Sequence, residues 1–473
     1  MSIAIGTGLL PAQRIDSAGH AHVDQRAVLQ LALPLMANSS IQIVLNLTDM
    51  WFIGHISTEA LAGVAAVQWL VLVVVLVFGG VAMAVQALAA QYYGAGRWCR
   101  ASQAAWTALW ATLCLTPLLL LVGSASRLIL APFGFSEHIE QLASDFWGPR
   151  VSGSVFGIAV WGMLGFFNGI GRPGVTFLIS LLTALANVIG NFVLVFGMGR
   201  GVSGCAWATT IAQALGLALC LAVFLRGPYR ERFKSRLTWR LHARQLRLQL
   251  ALGLPTGLLP AADLLGLSIF QMMQVRLGLV DGAATQLAMI MTSIAYMPGY
   301  GIASAGTTLV GQSIGANDRA WGMRVGSNVI LLTAVFMGGV GVLLAAVGPL
   351  LLPWFISAAD PDAAAVVSLG TRLLWLAALY QVFDGLNMGS AMSLRGAGDV
   401  TVPAALVIPV SWFVFVPLAH AFTFAPGEGW VDFLPQFGGG AVGGWVALVI
   451  YVSLLGSALF LRWRSRAWQK IRL

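Results

Sequence analysis

The sequence predicts an all-α polytopic membrane protein, with twelve transmembrane helices in two six-helix lobes related by a pseudo-twofold axis along the membrane normal. Three observations carry that expectation. Charged residues make up only 9% of the 473 residues and hydrophobic ones 58%, whereas a water-soluble protein carries about 25% charge; mean hydropathy is +0.85. Apolar stretches of spanning length, about 20 residues, recur from residue 27 to residue 462. Two motifs also repeat at one spacing: Leu31-Ala32-Leu33-Pro34 with Leu252-Gly253-Leu254-Pro255, and Gln91-Tyr92-Tyr93-Gly94-Ala95 with Gln312-Ser313-Ile314-Gly315-Ala316, both 221 residues apart.

In chain order, the expected organisation begins with a cytoplasmic N-terminal tail (1–26) that lacks the pattern of a cleaved leader. The N-lobe (27–226) follows, with spans at 27–53, 60–93, 102–127, 146–168, 174–197 and 204–226. A basic cytoplasmic linker (227–245) leads to the C-lobe (246–462), with spans at 246–275, 283–312, 324–352, 370–394, 400–423 and 439–462, and a basic cytoplasmic tail (463–473) ends the chain. An even count puts both termini on one side. With the termini inside, 21 of 26 basic residues fall in inner segments and five (Arg127, Arg150, Arg200, Arg276, Arg372) outside, the asymmetry that orients spans in a cell (inner) membrane. The net charge of +9 is therefore read as orientation and contact with anionic lipid, and no nucleic acid is expected. Cys99, Cys114, Cys205 and Cys220 show no metal-ligand spacing and read as free thiols.

Of the 17 acidic residues, three fall inside spans: Asp49, Asp263 and Asp384. An aspartate at a helix centre costs about 2.5–3.5 kcal/mol to insert, and such residues mark ion or proton pathways. No basic partner is expected in mid-membrane, so a structural salt bridge is not the favoured reading. Asp263 and Asp384 lie at mid-depth in the same lobe, and Tyr380, Asp384 and Asn387 share one helix face at i, i+4 and i+7. That constellation suits a metal cation such as Na+, held by Asp263 and Asp384, or a pair of coupled protons. Asp49 lies near the outer end of the first span, beside Trp51, where a plain interfacial aspartate is the competing reading. Against it, Asn38, Gln42 and Asp49 form a stripe, and Asn187 and Asn191 form another on the fifth span; two polar stripes in one lobe suit a substrate cavity. Pro34 and Pro255 are candidate hinges, with an innocuous kink as the alternative.

No lysine completes a phosphate-binding GxxxxGK[ST] loop, HExxH is absent, and no nucleophile–base pair is found, so no enzyme and no cofactor are expected. Uphill transport would draw on an ion gradient, worth about 2.3 kcal/mol per charge per 100 mV.

The segments ALPLMANSSIQIVLNLTDMWFIGHIS (32–57), QYYGAGR (91–97), NGIGRPG (168–174), GLPTGLLPAAD (253–263), GQSIGA (311–316) and YQVFDGLNMGSAMSLRGAGD (380–399) together resemble the multidrug and toxic compound extrusion (MATE) transporters, closest to the NorM-type subgroup. The resemblance covers almost the whole chain. It implies a secondary antiporter that exports lipophilic organic cations in exchange for H+ or Na+ by alternating access, expected here as a monomer in the bilayer. By motif, it implies coupling roles for Asp49, for Asp263 (where the subgroup usually has Glu) and for Asp384 with Tyr380 as neighbour. An acid that one branch carries on the fifth helix falls on Asn191, with Asn187 matching that branch's Asn, which favours a C-lobe cation site. The alternative, a flippase for lipid-linked precursors with related lobes, should carry cationic groups in mid-membrane. A membrane-embedded enzyme lacks a defensible reacting pair, and the twelve-span major facilitator carriers have a basic second loop that GAGRWCRA does not match.

Overall fold

The computed structural model describes residues 10–17, 19–133, 136–356 and 361–471, and these are almost entirely helical. The tail before the first span forms a small antiparallel hairpin, β1 (Gln13–Ile15) with β2 (Ala21–Val23), in the register Arg14 to His22. It is fastened by the Trp321 indole, which donates to the Pro11 carbonyl at 2.8 Å. Asp24 then starts α1 (Gln25–Gly54), its carboxylate accepting from the Arg26 and Ala27 amides that have no helical partner.

The first half continues through α2 (Thr58–Met83), α3 (Val85–Gly94), α4 (Trp98–Ser124), the short α5 (Ser126–Leu130), α6 (Glu137–Gly169) and α7 (Pro173–Asn191), and ends with α8 (Gly201–Phe224). After the short α9 (Gly227–Arg232) come α10 (Ala243–Leu277), α11 (Leu279–Gly315), α12 (Arg319–Leu351), α13 (Ala363–Ala397), α14 (Thr401–Pro409), α15 (Val416–Thr423) and α16 (Gly440–Arg464). Among the described residues, eleven spans are long and apolar enough to cross a membrane. The twelfth expected span, at 283–312, is present as the 37-residue α11 but falls short in apolarity, because polar and small residues such as Gln286, Ser293, Ser304 and Thr307 interrupt it. Leu113, Leu118, Leu120 and Leu121 of α4 are exposed, an apolar face suited to lipid.

Each half contains one π-helical turn: Phe192–Gly197 directly after α7, and Val410–Phe415 between α14 and α15. Such turns are rare and gather at functional sites.

The chain divides into two compact units, one of residues 1–261 with 307–322, the other of 262–306 with 323–472. The first has a core of α2, α6 and α8 residues, among them Val67, Val71, Trp147, Ile158 and Cys205. Within this unit α3 meets the end of α11 almost backbone to backbone. A Cβ on Gly94 would lie 2.1 Å from the Gln312 carbonyl oxygen, and one on Gly315 would lie 2.1 Å from that of Gln91. Only glycine permits that approach. The basic linker is mostly exposed and is fastened to this unit at a few points. The Trp106 and Trp110 indoles donate to the Ser235 and Trp239 carbonyls at 2.7 and 2.6 Å, Phe233 and Ser235 are buried, and Arg232 lies 3.7 Å above the Trp98 ring. In the second unit, Ala303, Met337 and Met388 form a small apolar core against Tyr300, Phe336 and Met392, and Arg462 pairs with the buried Asp399 at 2.8 Å.

Candidate functional site

Each unit buries one polar cluster around intramembrane acid. In the second unit, α10 supplies Asp263, α13 supplies Tyr380, Asp384 and Asn387, and α16 supplies Tyr451. Asp384 is buried, and the spacing that sets Tyr380 and Asn387 on its face is the helical i, i+4, i+7 pattern. Asn387 Nδ2 donates to Asp384 Oδ1 at 3.5 Å. The other oxygen, Oδ2, is buried with no hydrogen-bond partner among the described residues. Asp384 interacts electrostatically with Asp263 and with Tyr380. The Tyr451 hydroxyl donates to Asp263 Oδ1, and its ring stacks on Phe415 of the π turn at 4.5 Å. Tyr451 is a site residue that the sequence gives no signal for, since it stands alone in an apolar run.

In the first unit the hydrogen bonds close a ring. Asn191 Nδ2 donates to Asp49 Oδ1 at 2.7 Å and lies 3.2 Å from Asn187 Oδ1. Asn187 Nδ2 donates to Thr209 Oγ1 at 3.0 Å, and Thr209 Oγ1 donates to Asp49 Oδ2 at 3.4 Å. Thus α1, α7 and α8 each contribute, and the α7 stripe meets Asp49, one member of the stripe expected on α1. Asn187 and Asn191 are buried, and the Asn191 carboxamide oxygen has no donor among the described residues. Asp49 is held by side chains inside the unit, which its position beside Trp51 does not reveal.

The rest of the expected set stands apart. Gln42 is exposed, and Asn38 keeps a buried oxygen without a partner; neither hydrogen-bonds to the Asp49 ring among the described residues. Pro34 and Pro255 lie within α1 and α10, both of which run through them without interruption. No group of three or more His, Cys, Asp or Glu suited to a metal occurs among the described residues, so a sodium ion here would rest on Asp263, Asp384 and neutral oxygens.

Arg150, read from sequence as an outer-segment residue, lies within α6 (Glu137–Gly169).

Comparison with known proteins agrees with this architecture. The chain is 26% identical over 442 residues, covering 92% of it and 93% of the relative, to a "Probable multidrug resistance protein NorM" of Agrobacterium fabrum. A protein of the same description from Rhizobium meliloti is 28% identical, covering 93% and 92%. Among solved structures, "Crystal structure of MATE in the straight conformation" superposes with a TM-score of 0.82 at 19% identity, over 94% of this chain and 96% of that one. "Outward-facing conformation of a multidrug resistance MATE family transporter of the MOP superfamily" superposes at 0.80 and 18%. The MatE family pattern matches twice, at residues 34–193 and 264–420, once in each half. On the strength of that double match the chain belongs to the MatE family, a family of multi-pass membrane transporters and not of enzymes.

Proposed function

We propose that this protein is a secondary multidrug efflux antiporter that exports lipophilic organic cations in exchange for H+ or Na+. The observation that carries the reading is the second-unit cluster: two carboxylates that act on each other, one with a buried oxygen left without a hydrogen-bond partner among the described residues. Buried charge in a membrane is tolerated where a cation or proton can neutralise it, and nothing in the catalogue of enzymatic groups competes for these residues. In this scheme Asp263, Asp384 and Tyr380 take the coupling ion, with Asn387 orienting Asp384. Asp49 is a second coupling residue in the first unit, and Asn38, Gln42, Asn187 and Asn191 line the path of the substrate. Loading of the acids alternates with binding of the organic cation, and Pro34 and Pro255 provide points at which α1 and α10 bend.

The named relatives, each a probable multidrug resistance protein, support the substrate class. Their names do not choose the ion. The deciding experiment loads everted vesicles with a fluorescent lipophilic cation assay and imposes pH and sodium gradients separately. Accumulation driven by one gradient and dissipated by its ionophore is expected; accumulation driven by neither removes the antiport reading. The same proposal places the protein in the cell (inner) membrane with both termini and the linker in the cytoplasm. A cysteine at the exposed Arg240, introduced as Arg240→Cys, should then escape an impermeant thiol reagent in intact cells and react in everted vesicles.

A further inference from the structure

Between Arg226 and Arg247 the linker carries eight basic residues and one acid, Glu231. None of the eight enters an ion pair among the described residues. An excess of positive charge is therefore left for a partner outside the chain. The segment that carries it is held in one conformation. Ser235 Oγ donates to the Phe224 carbonyl at the end of α8 at 2.7 Å, while the Ser235 carbonyl accepts from the Trp106 indole. Thr238 and Ser102 of α4 share a buried hydrogen bond of 2.7 Å, and the Trp239 carbonyl accepts from the Trp110 indole. Phe233 is buried against the Phe166 ring, with centroids 5.4 Å apart.

With Ser235 and Thr238 buried, the side chains between and beyond them are left outside. Leu237 is 75% exposed, Trp239 49% and Leu241 44%. Arg236, Arg240 and Arg244 stand exposed among them. Three exposed apolar side chains within five residues are an unfavourable arrangement in water. The position of the segment along α4 decides what covers them. The Trp110 and Trp239 rings lie 6.4 Å apart, and tryptophans gather where a membrane meets water. Leu113, one turn further along α4, is 57% exposed and belongs to the apolar face suited to lipid. Residues 236–244 thus run along the rim of that face, where an apolar side chain reaches acyl chains and an arginine reaches headgroup phosphates.

We propose that linker residues 236–244 form a docking site for anionic phospholipid. Leu237, Trp239 and Leu241 enter the boundary between headgroups and acyl chains, and Arg236, Arg240 and Arg244 bind the phosphates. Apolar insertion plus basic charge are the two signals that stable interfacial attachment needs. A guanidinium also meets a phosphate with two parallel N–H donors, which suits arginine to this task. Net charge alone predicts only a diffuse attraction to anionic lipid; the backbone held on α4 and α8 turns it into a site with assigned residues. The site depends neither on the coupling ion nor on the antiport reading.

The test titrates the full-length protein in detergent with phosphatidylglycerol or with phosphatidylcholine of the same acyl chains, and counts bound lipid by native mass spectrometry. Wild type should bind phosphatidylglycerol at least about fivefold more tightly, a margin that added salt narrows. Inorganic phosphate at matched ionic strength should leave that margin intact. Arg240→Gln combined with Arg244→Gln should lower the affinity for phosphatidylglycerol at least about tenfold, since each arginine near an anionic surface contributes about fivefold. Leu237→Ser combined with Trp239→Ser keeps every charge and should weaken the binding of both lipids. Arg464→Gln combined with Arg466→Gln removes the same charge from the C-terminal tail and should leave the affinity close to that of wild type. Equal affinity of wild type for the two lipids overturns the proposal without recourse to any variant. So does unchanged affinity in the linker arginine variant, or an equal loss in the tail variant. Displacement by inorganic phosphate would make this a site for free anions and overturn the assignment to lipid.

Discussion

The polar cluster of the first unit and that of the second solve the same problem with different inventories. The first holds one carboxylate in a ring of two amides and a hydroxyl. The second holds two carboxylates, one bonded to a phenol and the other leaving an oxygen without a partner among the described residues. Both lie against helices interrupted by a π turn, at Phe192–Gly197 and Val410–Phe415. Yet the acids are not copies of one another. At the repeat spacing of 221 residues, Asp263 falls on Gln42 and Asp49 falls on Phe270. The duplication therefore kept the scaffold, the glycine crossings and the irregular helix, while the charges were placed independently. A cluster with two mutually repelling acids has reason to take up a cation; the first has a single acid, held by neutral donors.

The comparison breaks most severely if the acids prove interchangeable. Asp384→Asn and Asp263→Asn should each lower gradient-driven efflux at least tenfold, about 1.4 kcal/mol, whereas Asp49→Asn should retain partial efflux and lose only one titration step; equal losses at all three positions, measured in vesicles at matched expression, would erase the distinction. Tyr451→Phe comes next. Loss of a hydrogen bond to a charged group is worth about 1.5–3 kcal/mol, read as weaker apparent affinity for the coupling ion, with the response to pH or sodium displaced accordingly. Asn191→Asp sharpens the contrast from the other side, by giving the first cluster a second acid of nearly the same shape; binding of a fluorescent cation should then acquire one further pH-dependent step. Smallest is Trp106→Phe, which removes the indole donor to the Ser235 carbonyl. It should cost about 1 kcal/mol of stability, visible as a modest fall in Tm, with efflux unchanged.

The helices, the repeat and the three acids were legible because each is a strong departure from a uniform background. A lone aspartate in an apolar run is visible without any knowledge of its neighbours, and so is a motif that recurs at fixed spacing. Tyr451 and Thr209 were not legible. Their chemistry arises from where α16 and α8 lie against other helices, and a tyrosine or threonine in a membrane span has many ordinary reasons to be there. The contacts of the linker were not legible, because nothing in its basic composition shows that Trp106 and Trp110 would bind its backbone.

The crossing of α3 with the end of α11 has the form of contact found in dimers of identical subunits. Gly94 of one repeat meets the Gln312 carbonyl of the other, and Gly315 meets that of Gln91, its counterpart in the first. Residue i touches j′ and j touches i′, which is the rule of an isologous twofold interface. A patch that binds its own copy needs only one sequence to be fitted, and a tandem duplication delivers both sides of it at once. Retention of both glycines in one chain means that either half still presents the surface its sister requires, as two separate protomers would, so that a bulky substitution at Gly94 or at Gly315 should disturb the same junction from opposite sides.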